Sequence, residues 1–237
     1  MNRILHDRFM NVHLITEETP ETKSFSLNWS GEPIEFTPGQ FFNVTVELPD
    51  RQRIRRAYSI ASSPLDPELE LTVKKMEGGL LSNFLCDDVR PGDSLNIRGP
   101  YGRFTLEDDG RHLVFIAAGS GIVPFRSMWR YLCQIGSKTM FSLLYASKSE
   151  EHIIYRDEIA NLSKAGYQIA HTLTRSNDPQ WKGYSRRIDL DMLIEFVSDF
   201  THPLFYVCGP PEFCDCIVRN LCDLGVQRDR IRTEKYD

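Results

Sequence analysis

Apolar positions recur with two different rhythms along the chain. Up to about residue 105 they alternate. In residues 41–48, Phe42, Val44, Val46 and Leu48 fall on one side of an extended chain, and Phe41, Asn43, Thr45 and Glu47 fall on the other. Similar short runs, rich in β-branched and aromatic residues, recur as FMNVHLI, KSFSLNW, AYSIAS, LELTVKKM and SLNIRG. Turn signals such as TPGQ, SSPLDP and RPGD part them. Six short strands with one helix near residues 80–87 predict a small antiparallel barrel.

From about residue 110 the apolar positions form unbroken runs instead. HLVFIAAG, TMFSLLYA and PLFYVCG have the continuous hydrophobicity of parallel strands buried on both faces. YQIAHTLT and IRTEKY complete a set of five strands, with helices expected over 124–135, 153–165, 189–197 and 211–224. Strands alternating with helices predict a doubly wound α/β domain with a parallel sheet. The rhythm changes in the loop LEDDGR, which divides the chain into a barrel domain, residues 1–107, and an α/β domain, residues 108–237.

Composition narrows the function classes. The net charge of −5 on 237 residues argues against a general affinity for nucleic acid. No apolar run approaches the length of a membrane span, and MNRILHDRFM lacks the apolar core of a signal peptide. A cytoplasmic monomer with free thiols is therefore expected. The six cysteines fit neither zinc spacing nor an iron–sulfur pattern, so no metal site is expected. A basic run, RQRIRR at residues 51–56, stands out on this acidic background. It reads either as a solvated face or as a surface for phosphates or an acidic partner.

Four local motifs carry candidate chemistry. In Arg56-Ala57-Tyr58-Ser59, alternation puts Arg56 and Tyr58 on one face, a forked cation beside a flat ring. Gly78-Gly79-Leu80-Leu81-Ser82 is a glycine turn opening a helix, which offers backbone N–H groups to a phosphate. Gly119-Ser120-Gly121-Ile122-Val123-Pro124 follows a buried strand and precedes a helix, the context a dinucleotide site requires. There Pro124 replaces the third glycine of the common fingerprint and suits the first helical turn. Finally, Cys208-Gly209-Pro210 ends a parallel strand, where ligands of such sheets bind; the same cysteine also suits a small core position.

Taken in this order, RxYSxxS, GGxxS, GxGxxP and CGPP resemble the ferredoxin–NADP reductase family, together with a tail Glu234-Lys235-Tyr236 of acid, any residue, aromatic. The resemblance implies a six-stranded Greek-key barrel for FAD and a five-stranded α/β domain for the nicotinamide dinucleotide. It implies that Arg56, Ala57, Tyr58 and Ser59 hold the flavin and its pyrophosphate, with Tyr58 stacked on the ring and Ser59 near flavin N5. Val73 and Lys74 would run along the ribityl chain, and Gly78 to Ser82 would bind the FAD phosphate. Gly119, Ser120, Gly121 and Pro124 would face the dinucleotide. Cys208 and Glu234 would line the hydride-transfer site, Gly209 and Pro210 would bind the cofactor, and Tyr236 would cover the second flavin face. The chain departs from the pattern in two places. Asp237 follows the terminal aromatic, and Arg186 stands where a Gly-Arg-Ile stretch has its glycine.

The implied activity is a flavoenzyme that moves electrons between NADPH or NADH and a one-electron carrier, ferredoxin or flavodoxin. Ser147, Lys148, Thr174 and Arg175 close the second and third parallel strands without an acid at the turn, and Arg186 and Arg187 follow. That set suits a 2′-phosphate and favours NADPH. Three other readings stay open: an oxygenase reductase component or free flavin or ferric reductase, a non-catalytic flavoprotein subunit, and FMN in place of FAD.

Overall fold

The alternating part of the chain folds as six antiparallel strands in the computed structural model, which describes residues 8–28, 33–47, 51–176 and 178–236. They are β1 (Arg8–Thr19), β2 (Thr22–Asn28), β3 (Phe41–Glu47), β4 (Arg53–Ser59), β5 (Leu69–Lys74) and β6 (Ser94–Tyr101), in the order β4-β3-β6-β1-β2-β5. An antiparallel bridge from Ile60 to Leu71 links the end of β4 to β5 and closes the sheet into a barrel. Alternation sends Phe42, Val44 and Val46 into the core with Phe25, Leu71 and Ile97; Leu48, expected on that face, lies outside the described residues. The basic run belongs to β4 itself, which starts earlier than the AYSIAS segment suggested. Ile54 points into the core, while Arg53 and Arg55 point outward.

α1 (Leu80–Asp87) buries Leu81 and Leu85 in the same core. α2 (Val123–Gln134) follows the glycine turn of the α/β half, yet it packs with the barrel. The described chain up to Leu106 and the stretch Val123–Ile135 make one unit, and Glu107–Ile122 with the chain from Gly136 make the other. Within the first unit, Phe125 meets Phe104 at 5.9 Å between ring centroids. Ser127 Oγ donates to the Ser62 carbonyl at 2.6 Å, Arg130 pairs with Asp66 at 2.9 Å, and Arg126 pairs with Glu70. Polar side chains of α2 therefore end on acceptors of the 62–66 loop and of β5, and its expected start near Pro124 holds.

The second unit is built on β7 (Leu113–Ala118), β8 (Phe141–Ser147), β9 (Gln168–Leu173), β10 (Leu204–Gly209) and β11 (Ile231–Lys235), all parallel, in the order β11-β10-β7-β8-β9. α4 (Leu190–Phe196) and α5 (Pro211–Asp223) cover the face carrying Ile116, Leu144, Phe205 and Val207. Asp189 caps α4, its carboxylate accepting from the Met192 N–H at 2.8 Å. α3 begins at Arg156 rather than 153. Tyr155 takes a left-handed φ of 58°, which cannot lie inside a helix, and Ile153 and Ile154 are buried ahead of it.

Register aligns Glu234, Cys208, Ala117, Tyr145 and His171 in one row across all five strands. His171, on the edge strand of this row, sits between the rings of Tyr145 and Trp181, 5.8 and 6.4 Å away between centroids. Its Nδ1 is buried without a hydrogen-bond partner among the described residues. Burial, helped by the charge of Arg156, lowers its pKa from 6.5 to about 4. The unfolded chain takes up this proton near pH 6.5, the folded chain only near pH 4, so stability is full above 6.5 and falls as pH drops through the interval. The expected loss is on the order of 3 kcal/mol. Urea unfolding from pH 7 to pH 4 should show a flatter pH dependence for His171→Phe than for the native chain; parallel curves would show that His171 contributes nothing to it.

Candidate functional site

In the first unit the candidate residues gather on β4, on the end of β5 and at the start of α1. Alternation leaves Arg56 exposed, its Nη1 donating to the Arg55 carbonyl at 2.8 Å, and sets Tyr58 half-buried against the barrel core. Burial pushes the Tyr58 phenol well above its usual range, so it stays neutral. Ala57 is exposed and Ser59 is buried beside them at the strand end. Val73 turns its side chain into the core, which leaves only its backbone for a ligand, and Lys74 pairs with Glu21 at 3.8 Å.

The Gly78-Gly79 turn leads straight into α1. Gly79 is the N-cap residue and provides no side-chain cap, so the first-turn N–H groups keep their donor capacity. A Cβ on Gly79 would stand 2.4 Å from Ser82 Oγ. The glycine thus lets the helix start fold down over Ser82, whose hydroxyl accepts from the Met76 N–H at 3.2 Å. Leu80 is exposed at the rim while Leu81 anchors the helix in the core. Uncapped amides, a hydroxyl, a guanidinium and a half-buried aromatic ring form a donor set that fits a phosphate-bearing flavin.

In the second unit the glycine turn lies directly beyond β7, Gly119–Ile122 forming a single 3-10 turn. It presses on the end of β10: a Cβ on Gly121 would come within 2.1 Å of the Cys208 carbonyl oxygen. Only glycine permits that approach, which brings the GxGxxP and CGPP motifs together. Pro124 is buried in the first turn of α2, where its missing N–H costs no hydrogen bond. Cys208 is fully buried, and burial raises its thiol pKa, opposed by the side chain of Tyr236. The thiol therefore stays protonated and serves as a packing group. Burial also raises the pKa of Glu234 in the adjacent strand. Tyr236 extends this pairing, its N–H donating to the Gly209 carbonyl at 3.0 Å; Pro210 then caps α5. Asp237 lies outside the described residues.

A second group forms where β8 and β9 end. The Thr174 N–H donates to the Ser147 carbonyl at 2.9 Å and the Arg175 N–H to the Lys148 carbonyl at 2.8 Å, so these four residues run side by side. Ser147 is 5% exposed, and its Oγ has no partner among the described residues. An orphaned buried hydroxyl at the carboxyl edge of a parallel sheet fits a polar ligand. Arg186 is engaged with Asp189 at 2.9 Å and Glu195 at 3.3 Å. Arg175 and Arg187 are exposed and make no ion pair among the described residues.

Sequence reasoning missed Tyr145, His171 and Trp181. Tyr145 is fully buried and donates to the Gly119 carbonyl at 3.0 Å. Trp181 reaches the group because residues 181–184 lie along the edge of β9. There the Tyr184 N–H donates to the His171 carbonyl at 3.0 Å, and Trp181 Nε1 donates to the Tyr184 carbonyl at 2.9 Å. The available signal was a polar atom inside an otherwise apolar strand, as in LLYAS and IAHTL.

Comparison with known proteins agrees with both halves of this geometry. Residues 10–106 match the family described as oxidoreductase FAD-binding domain, and residues 115–219 match oxidoreductase NAD-binding domain. A ferredoxin–NADP reductase B of Sorangium cellulosum is 34% identical over 218 residues, covering 87% of this chain and 88% of that protein. A glycine betaine monooxygenase reductase subunit of Pseudomonas aeruginosa is 28% identical over 229 residues, covering 94% of this chain but 62% of that protein. Among solved structures, the flavohem-like FAD/NAD binding domain of a nitric oxide dioxygenase from Vibrio cholerae superposes with a TM-score of 0.90 at 26% identity, covering 98% of this chain and 99% of that one. The chain belongs to the ferredoxin–NADP reductase family of oxidoreductases, with an FAD-binding barrel followed by an NAD(P)-binding α/β domain.

Proposed function

We propose that the protein exchanges electrons between NADPH and a small acidic one-electron carrier, ferredoxin or flavodoxin, as its own partner. FAD, when bound, would supply the redox chemistry that couples a two-electron nicotinamide to a one-electron carrier. The chain's residues bind, orient and shield. Arg56 and the α1 amides would hold the flavin phosphates, Tyr58 would offer its ring face, and Ser59 would present a hydroxyl near N5. Glu234, whose carboxyl pKa burial raises, would hold a proton beside the nicotinamide, while Cys208 would fill the space beneath it as a neutral thiol.

The observation that carries the carrier assignment is the outer face of the barrel. Register places Arg55, Thr45, Asn96 and Phe9 in one row, with Asn43 and Arg98 in the next. Arg55 Nε donates to Thr45 Oγ1 at 3.0 Å, and neither Arg53, Arg55 nor Arg98 has a carboxylate partner among the described residues. Most other arginines of the chain are tied to an acid or a carbonyl. Arg53 and Arg55 are exposed and suit an acidic protein surface, whose approach they would steer; Arg98 is half-buried, and Thr45 and Asn96 are buried in the same rows. A second reading, service to an oxygenase, draws support from relatives such as the Pseudomonas aeruginosa reductase subunit.

Two outcomes follow. Arg55→Glu should raise the KM for ferredoxin or flavodoxin several-fold, most at low salt, and leave NADPH-dependent ferricyanide reduction near native. Unchanged carrier kinetics would remove this face from the docking surface. Arg175→Ala and Arg187→Ala should each raise the KM for NADPH by about tenfold while changing that for NADH little, because a charged hydrogen bond to the 2′-phosphate is lost. Equal effects on both donors, or a native preference for NADH, would overturn the NADPH assignment.

A further inference from the structure

Tyr145 is a large side chain with no exposure, in the middle of a β8 segment that is buried throughout. A phenol in such a place needs a hydrogen-bond acceptor. Its hydroxyl finds the Gly119 carbonyl, the first residue of the dinucleotide turn, at 3.0 Å. Gly119 has a φ of +54°, so its carbonyl is aimed by a backbone conformation that costs glycine little. The opposite side of the turn is fixed as well, by the contact of Gly121 with the Cys208 carbonyl.

The peptide bond converts that contact into a consequence for the ligand. In a planar trans peptide the carbonyl of residue 119 and the N–H of residue 120 point in opposite directions. Drawing the Gly119 oxygen onto a buried hydroxyl of the sheet therefore turns the Ser120 N–H away from it. This is the start of a helical turn, where N–H groups lack partners within the turn. We infer that Tyr145 is a positioning residue for NAD(P)H, its hydroxyl fixing the Gly119 carbonyl so that the Ser120 amide donates to the ligand's pyrophosphate. The inference rests on the assignment of the turn to the dinucleotide. His171 and Ala117, paired with Tyr145 on either side, hold the ring that carries the hydroxyl.

Calorimetric titration of the flavin-loaded protein tests this with two ligands. NADP+ carries the pyrophosphate; adenosine 2′-phosphate does not. Tyr145→Phe should weaken NADP+ by about tenfold and leave adenosine 2′-phosphate unchanged, with flavin content and unfolding midpoint close to native. Equal weakening of both ligands, or no weakening of either, would overturn the role of Tyr145 alone. A native protein that binds neither NADP+ nor NAD+ would overturn the functional reading together with it. Should the variant fail to keep its flavin, the Ser120 amide resonance of the native protein decides. It should shift strongly when NADP+ is added, and an unmoved resonance would overturn the proposal.

Discussion

Parallel strands that end together leave polar backbone groups at their carboxyl edge without ladder partners, and the second unit is organised around that edge. Some groups are satisfied by the chain itself. The Thr174 and Arg175 amides take the Ser147 and Lys148 carbonyls, the Tyr236 amide takes the Gly209 carbonyl, and the Tyr145 hydroxyl takes the Gly119 carbonyl. What these bonds leave over is mostly donor capacity: the amides at the start of the glycine turn, the Ser147 hydroxyl, and the two exposed guanidinium groups of Arg175 and Arg187. A surplus of donors is what a ligand rich in phosphate oxygens requires.

The first unit reaches a similar surplus by another route. Its strands are antiparallel and closed, so their backbone groups are largely consumed in the barrel. The donor-rich spot comes instead from a single short helix whose N-cap is glycine, with Arg56 on the neighbouring strand. Leu81 and Leu85 fix α1 in the barrel core, so the uncapped amides stand on a rigid base while Leu80 and Gly78 remain at the surface. The same separation of roles runs through β4. Ile54 anchors the strand, Tyr58 and Arg56 face one side, and Arg53 and Arg55 face the other. One strand of seven residues thus presents two separate sets of side chains, one on each face.

Much of this was legible in the sequence because it depends on periodicity and on glycine. The alternation in residues 41–48 and the apolar runs HLVFIAAG and PLFYVCG specify burial directly, and the glycine motifs mark places where a side chain would collide. What escaped was decided by tertiary pairing. Nothing local distinguishes Arg186 from Arg187, yet Asp189 and Glu195 engage the first and leave the second without an ion pair among the described residues. The start of α3 was misplaced because the left-handed Tyr155 has no sequence signature for a bulky residue. Tyr145 and His171 looked like core strand positions, and they are; their polar atoms acquire meaning only when register sets them beside the glycine turn and the 181–184 segment.

The row Glu234, Cys208, Ala117, Tyr145 and His171 shows how tightly the chemistry is bound to the core. Neutral forms are favoured along it: burial raises the Cys208 thiol and the Glu234 carboxyl and lowers His171. Burial disfavours fixed charge along this floor, which lessens its competition with a ligand for the cations and amides at the rim. Gly121 crosses the end of the row against the Cys208 backbone, whose carbonyl oxygen a Cβ there would meet at 2.1 Å. Packing volume and hydrogen-bond direction are thus the same constraint at this edge, since the turn can aim its amides only while it lies flat on the strands.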